Sequence, residues 1–255
     1  MKLSNIETVL AYLRGVGSRD ADLAIKYVHS VKYKEHNPHV ADGVHGVKEW
    51  IAQLPKEAGS LNTVRTLQDG PFVVTHTKGD LRRPCVFFDI SRFEDGLIAE
   101  HWLFEEEVAP ANESGHTQID GPTQAKHLEE TKKNKAFVRE YYETVHLAGD
   151  HGRIPQYVSE DHVRHEPHAR DGVAAFLRDL GSFNQPGKPS RTIDEMKFLL
   201  GEGDLVFVVA TGTIAAAPIV YVDLYRVGGG KLVEHWGFIQ PVPPLASRMN
   251  GNGVL

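Results

Sequence analysis

The sequence has one cysteine, Cys85, in 255 residues, so no disulfide can form within the chain, and a reducing compartment suits it. No uninterrupted apolar run approaches the roughly 20 residues of a membrane-spanning helix. The opening stretch MKLSNIETVLAYLRGVG has neither the apolar core nor the small-residue cleavage site of a secretory signal, and a cytoplasmic location is expected. Basic residues are the minority, 28 against 34 acidic, for a formal charge of −6. That balance lacks the positive footprint of a nucleic-acid-binding surface. Also missing are the glycine-rich phosphate loops of nucleotide-binding enzymes, the GxSxG elbow of serine hydrolases and any CxxC pair. Neither HxH nor HxxxH occurs, so the sequence gives no spacing for a metal site, and none is expected.

Histidine, by contrast, is plentiful at 14 residues, and its placement repeats. HNPH at 36–39 recurs as HEPH at 165–168, and each is followed by Asp-Gly-Val, at 42–44 and 171–173. A second block repeats downstream, PCVFFDISRFEDGLIAEHW (84–102) against PIVYVDLYRVGGGKLVEHW (218–236). It matches at Pro84/Pro218, Val86/Val220, Asp89/Asp223, Arg92/Arg226, Gly96/Gly230 and both Glu-His-Trp triplets. Ordered identities in two separate blocks identify a tandem duplication. The copies are placed at 1–110 and 124–245, with a polar linker containing Gly and Pro at 111–123 and a flexible tail at 246–255.

Within each copy, helical periodicity precedes strand alternation. In the second copy Phe137, Val138, Tyr141, Tyr142 and Val145 fall at helical spacing, and residues 153–167 suggest a short helix leading into an extended segment. Residues 171–180 read as a third helix, with Asp171 as N-cap and Phe176, Leu177 and Leu180 on the buried face. Turn signals at Gly201-Glu202-Gly203, Gly228-Gly229-Gly230 and Glu94-Asp95-Gly96 then separate β-rich runs, the pattern of an antiparallel meander. Helices grouped before such a sheet predict an α+β fold with one sheet face covered by helices. Sheet faces rich in Phe, Tyr and Val lead us to expect the copies to pack as an internal pseudodimer, with further homo-oligomers left open.

The combination EHNPHVADGVHGV … FFDISRFEDGLIAEHW, matched in the second copy by HVRHEPHARDGV and YVDLYRVGGGKLVEHWGFIQPVP, resembles the SnoaL-like polyketide cyclases and their aldol-condensation relatives. These belong to the α+β superfamily named after nuclear transport factor two, with ketosteroid isomerases and scytalone dehydratase. The resemblance covers nearly all of both copies. It implies two tandem cone-shaped α+β barrels, each with three helices closing a curved sheet around a small apolar ligand, and a chemistry that needs no cofactor. In the cyclase pattern EHWD a carboxylate follows the histidine by two residues. Here those positions hold Leu103 and Gly237, so neither copy keeps the full set. Glu105 has the strand parity to substitute in the first copy, although the run 105–107 equally suits a solvated edge.

The candidate residues follow from position. His36 and His165 stand just before the proline that stops a helix. Each either points into the cone mouth as acid, base or donor, or caps the corner through backbone carbonyls. The outer histidines, His39 and His168, are expected at the surface. Asp89 and Asp223 lie mid-strand among apolar residues, where an unpaired carboxylate is costly. They are either proton-transfer groups with raised pKa or partners of a neighbouring strand or helix end. Alternation puts Asp89 on one face with Cys85, Phe87 and Ser91, and Asp223 with Ile219, Tyr221 and Tyr225. His101 and His235 on the next strand can approach the same cavity, with Trp102 and Trp236 on the opposite face, under the helices. His76 occurs only in the first copy, the matching residue being Ala210. The expected pocket walls are Phe87, Leu103 and Glu105 in the first copy, and Tyr221 and Gly237 in the second.

Together these groups suit a cofactor-free acid–base enzyme acting at carbon on a small hydrophobic carbonyl compound, by aldol-type cyclisation, isomerisation or dehydration. The alternative is a non-catalytic module that binds a small ligand in the same pocket. Either way the expected partner is a small hydrophobic molecule, not nucleic acid or a membrane. The first copy has the larger polar set and is expected to be the working half.

Overall fold

The computed structural model describes residues 3–57, 59–183 and 190–255, except the side chains of 182 and 183. The chain divides into two units, Met1–Val108 with Pro243–Leu255, and Ala109–Val242.

The first unit opens with α1 (Asn5–Gly17), whose start is fixed by a reciprocal cap. The Ser4 hydroxyl accepts from the Glu7 N–H, and the Glu7 carboxylate accepts from the Ser4 N–H. Helical spacing brings Val9, Tyr12, Leu13 and Val16 onto one buried face. α2 (Ala21–Ala24) lies so close that a Cβ on Gly15 would sit 2.6 Å from the Ala24 nitrogen. α3 (Gly43–Ala52) adds Val47 and Ile51 to the core. The strands are β1 (Lys34–Glu35), β2 (Asn62–Asp69), β3 (Phe72–Asp80), β4 (Pro84–Glu94) and β5 (Leu97–Glu107). They form one sheet in the order β1-β5-β4-β3-β2, in which only β1 runs parallel to its neighbour. Asp95 and Gly96, with φ of 55° and 81°, make the turn between β4 and β5; this conformation matches the twist of a hairpin.

The second unit repeats the plan. α4 (Thr131–Tyr141) passes directly into a π-helical turn at Tyr142–Leu147, where the sequence predicts one continuous α-helix. The wider turn lets the consecutive residues Tyr141 and Tyr142 both be buried. α5 (Ile154–Tyr157) leads into β6 (Val158–Arg164), and α6 (Val173–Phe183) follows. β7 (Arg191–Glu202), β8 (Leu205–Ile214), β9 (Ala217–Gly228) and β10 (Lys231–Pro241) complete a sheet ordered β6-β10-β9-β8-β7, again with the first pairing parallel. Phe176, Leu177 and Leu180 pack on this unit's core as predicted. Each unit is thus an α+β fold with a five-stranded sheet and helices on one face.

Three local expectations are corrected. Asp171 does not cap α6: its carboxylate accepts from the Arg164 N–H at 3.0 Å and faces His116 at 2.9 Å. Its counterpart Asp42 likewise accepts from the Glu35 N–H at 2.9 Å instead of capping α3. Both bind the helix start back to the preceding strand. Trp102 is not under the helices, because the helices cover the His101 face, where Tyr12 meets the imidazole edge-on. Trp102 and Trp236 carry the stacked rings of His36 and His165 on the other face. Finally, residues 249–253, placed by sequence in a flexible tail, hydrogen-bond to the His36 corner and count with the first unit.

Candidate active site

Strand pairing builds the site. In the first unit Ser91 lies opposite His101, and Asp89 opposite Leu103. Asp89 and His101 are therefore diagonal neighbours on the helix-facing side, within reach of each other. The His101 Nε2–H donates to Asp89 Oδ1 at 3.2 Å, while Nδ1 lies 3.2 and 3.3 Å from the two Glu35 oxygens. Glu35 is there because the parallel pairing of β1 sets it beside His101. Its carboxylate also accepts from the Tyr33 hydroxyl at 2.5 Å and the Asn37 N–H at 2.8 Å. At the other end, Asp89 Oδ2 accepts from the Thr75 hydroxyl at 3.1 Å. A continuous chain of five polar side chains, Tyr33, Glu35, His101, Asp89 and Thr75, thus runs through a buried region.

The electrostatics follow. Burial disfavours a charged imidazole, but carboxylates on both ring nitrogens outweigh it and push His101 up to about 10. His101 is an imidazolium at neutral pH. Burial, with Glu35 nearby, holds the Tyr12 and Tyr33 hydroxyls well above the ordinary tyrosine value, so both stay protonated. A small cavity of about 20 Å³ adjoins this chain, lined by Tyr12, Trp50, Thr77, Phe87, Asp89, His101 and Leu103 with further apolar side chains.

The second unit builds a related cluster differently. His235 lies 2.8 Å from Asp223 Oδ1 through Nε2 and 3.0 Å from Glu166 Oε1 through Nδ1. Burial is again outweighed by the two carboxylates, and His235 is pushed up to about 9. The Tyr142 hydroxyl donates to Asp223 Oδ2. Here the second carboxylate follows the corner histidine instead of preceding it. Arg164 takes the place of Glu35 beside the imidazole, and its guanidinium donates to Glu166 at 3.0 and 3.2 Å. Two substitutions close this cluster. The Tyr225 ring stacks on His235 with centroids 4.5 Å apart, where the first unit has the smaller Ser91. A Cβ on Gly237 would lie 2.6 Å from Asp223 Oδ1 and 2.7 Å from His235 Nε2, so no side chain fits there. The Ser91 hydroxyl, 1% exposed, has no hydrogen-bond partner among the described residues.

Of the residues expected from sequence, the structure brings together Asp89 with His101 and Asp223 with His235, and sets Phe87 and Leu103 on the cavity wall. The other candidates lie elsewhere. His36 donates from Nδ1 to the Gly253 carbonyl at 3.2 Å and stacks on Trp102, and His165 donates to the Thr117 carbonyl at 2.9 Å and stacks on Trp236. Both take the corner-capping role. His76 stacks on Phe88, whose parity is opposite to that of Asp89, so it faces away from the cavity. Glu105 pairs with Arg83 at 2.8 Å on the sheet edge. The Tyr221 hydroxyl donates to the Thr192 carbonyl. His39 and His168 are exposed. The sequence reading missed Glu35, Tyr12, Tyr33 and Thr75, and in the second unit Glu166, Arg164 and Tyr142. The signal for both glutamates was present in the motifs, since each adjoins a corner histidine. Alternation then directs the glutamate inward when the histidine faces outward.

No family model matches the chain, and no curated protein matches it. Among solved structures it is similar to a candidate ketosteroid isomerase from Kribbella flavida DSM 17836, at 22% identity and a TM-score of 0.38 over 45% of this chain and 84% of that one. It is also similar to an NTF2-like protein of unknown function from Cytophaga hutchinsonii ATCC 33406, at 9% identity and a TM-score of 0.37 over 42% of this chain and 93% of that one. A third is IdmH, a candidate polyketide cyclase from Streptomyces antibioticus, at 22% identity and a TM-score of 0.33 over 42% and 91%. Each match spans less than half of this chain. Among the described residues no helix is long and apolar enough to cross a membrane.

Proposed function

We propose that the first unit is a cofactor-free acid–base enzyme that moves a proton at carbon on a small hydrophobic carbonyl compound. The observation that carries this reading is the chain Tyr33–Glu35–His101–Asp89, whose Asp89 and His101 line one apolar cavity together with Tyr12. Asp89 is the base for the acidic α-proton. Its carboxylate is held in place by His101 and Thr75 and needs no rearrangement to receive a proton. The Tyr12 hydroxyl, kept protonated by burial, is the donor that steadies the developing enolate oxygen. His101 positions Asp89 and supplies a fixed positive charge beside it, while Glu35 keeps that charge in place. Returning the proton to a different carbon gives isomerisation, attack of the enolate on a second carbonyl gives cyclisation, and loss of a β-hydroxyl gives dehydration. The second unit, closed over its histidine by Tyr225 and Gly237, is the supporting half.

Steady-state assays on a panel of polyketide-like β-dicarbonyl compounds test this. Turnover by the wild type that falls roughly 100-fold or more in Asp89→Asn, the usual contribution of a positioned base, supports it. Binding without turnover of any panel member favours the non-catalytic module.

A further inference from the structure

Asn-Gly occurs twice in the sequence, at 250–251 and 252–253, and both asparagines fasten the arm to the His36 corner. Asn250 does so with two donated bonds and Asn252 with one. Asn250 Nδ2 donates to the Asn37 and Val40 carbonyls at 2.8 and 2.9 Å, and its Oδ1 accepts from the Asn252 N–H at 3.1 Å. The second unit fastens its own corner with the same device. Asn112 Nδ2 donates to the Arg164 and Glu166 carbonyls at 2.7 and 3.3 Å, and its Oδ1 accepts from the Ser114 N–H at 3.0 Å. The difference is the next residue, Glu113 after Asn112 and Gly251 after Asn250. A glycine has no side chain to hinder the approach of its nitrogen to the asparagine Cγ. Gly251 is exposed, and nothing beyond its chain neighbours lies within 4 Å of where a Cβ would stand. Its φ is outside the left-handed region, so neither space nor backbone requires glycine there. Gly253 is more restrained, because its φ is 82° and its carbonyl accepts from His36 Nδ1 at 3.2 Å.

We infer that Asn250 is a site of spontaneous deamidation, and that the modification unfastens the arm from the His36 corner. The Gly251 nitrogen attacks Asn250 Cγ, and the new N–Cγ bond replaces the Cγ–Nδ2 bond. The side-chain nitrogen leaves as ammonia with the proton that Gly251 gives up. Water then opens the cyclic imide at either carbonyl, leaving aspartate or isoaspartate. Overall one amide and one water become one carboxylate and one ammonium ion. The amide gives the corner two donors, whereas an ionised carboxylate only accepts. It meets the Asn37 and Val40 carbonyls with a negative charge and no proton to share, so docking is lost. While docked, the Asn250 side chain is held by those bonds and by the Asn252 N–H, so ring closure draws on the undocked arm. Loss of ammonia makes the release permanent. Glu113 leaves the matching fastening at Asn112 without this weakness.

The test incubates the full chain in mildly alkaline buffer and follows it by peptide mass mapping and residue-resolved hydrogen exchange. Asn250 is expected to convert and Asn112 to stay intact. Unfolding in urea should speed conversion about 30-fold, the factor that two hydrogen bonds supply. Gly251→Ala should slow conversion several-fold and keep wild-type protection at residues 35–40. Asn250→Asp should lose that protection without incubation and keep it in β3 and β4. No conversion at Asn250 while the urea-unfolded chain converts, an unchanged rate in Gly251→Ala, or equal conversion at Asn112 would overturn the site. Wild-type protection at residues 35–40 in Asn250→Asp, or in the converted chain, would overturn the release.

Discussion

His101 and His235 each lie between two carboxylates, whereas in the second unit the half-buried His146 and the buried His162 have no such support. The two kinds of site respond to pH with opposite sign. His101 and His235 are raised from the ordinary 6.5 to about 10 and about 9. Their stabilisation is complete below about pH 6.5 and is lost as pH rises through those values. Burial lowers His146 and His162 to about 4, so their neutral forms favour folding above about pH 6.5, and this is lost as pH falls through 4. We predict that acidification from pH 6.5 to 4 weakens amide protection in β8 and β9 but leaves β3 and β4 much less affected. Raising the pH from 6.5 to 10 should weaken both units. Residue-resolved hydrogen exchange measures this, and equal loss in both units on the acid side would contradict it.

At the scale of elements, the sequence showed what periodicity can show. The alternation in β4 and β9 put Asp89 and Asp223 on the correct faces, and the following strands supplied their histidine partners. It did not show that β1 runs parallel to β5, because that pairing in the first unit is two residues long and leaves no periodic trace. The motif pointed Glu35 inward, but nothing in the sequence set it beside His101. His76 failed for a related reason: its pattern gives parity within β3, but the register with β4 decides which face meets the cavity. The π-turn after α4 was likewise unreadable, since the same spacing fits a regular helix. Gly237 tests the packing of β10 against β9. Replacing it with alanine forces a methyl group against the Asp223–His235 pair and should cost about 1–3 kcal/mol, the usual penalty for overpacking. Denaturant melts measure this, and an unchanged midpoint would show that the second cluster has slack.

For the whole molecule, the duplication was legible because two blocks kept their order, but the unit boundaries were not. Residues after β5 join the second unit, where Asn112 donates to the Arg164 and Glu166 carbonyls. Residues after β10 join the first, where Asn250 donates to the Asn37 and Val40 carbonyls and Asn252 to that of Glu35. These contacts rest on single polar side chains within stretches whose composition reads as linker. Truncation after Val242 removes several hydrogen bonds worth about 1 kcal/mol each. It should loosen residues 34–40 and β5 in hydrogen exchange while sparing β9 and β10. Uniform loosening, or none, would mean that the C-terminal arm does not hold the His36 corner.

In the proposed reaction Asp89 takes the proton and His101 positions Asp89, and the matching pair in the second unit is structural. Exchange of the α-protons of 4-oxo-4-phenylbutanoate into D2O, followed by NMR with wild type, Asp89→Asn, His101→Ala, Asp223→Asn and His235→Ala, tests it most directly. The first two variants should slow exchange roughly 100-fold or more. The last two should exchange at nearly the wild-type rate below their melting temperatures, with stability reduced by about 1–3 kcal/mol, the cost of losing a buried hydrogen-bond partner. Equal kinetic damage in both units, or exchange that persists in Asp89→Asn, would contradict the account.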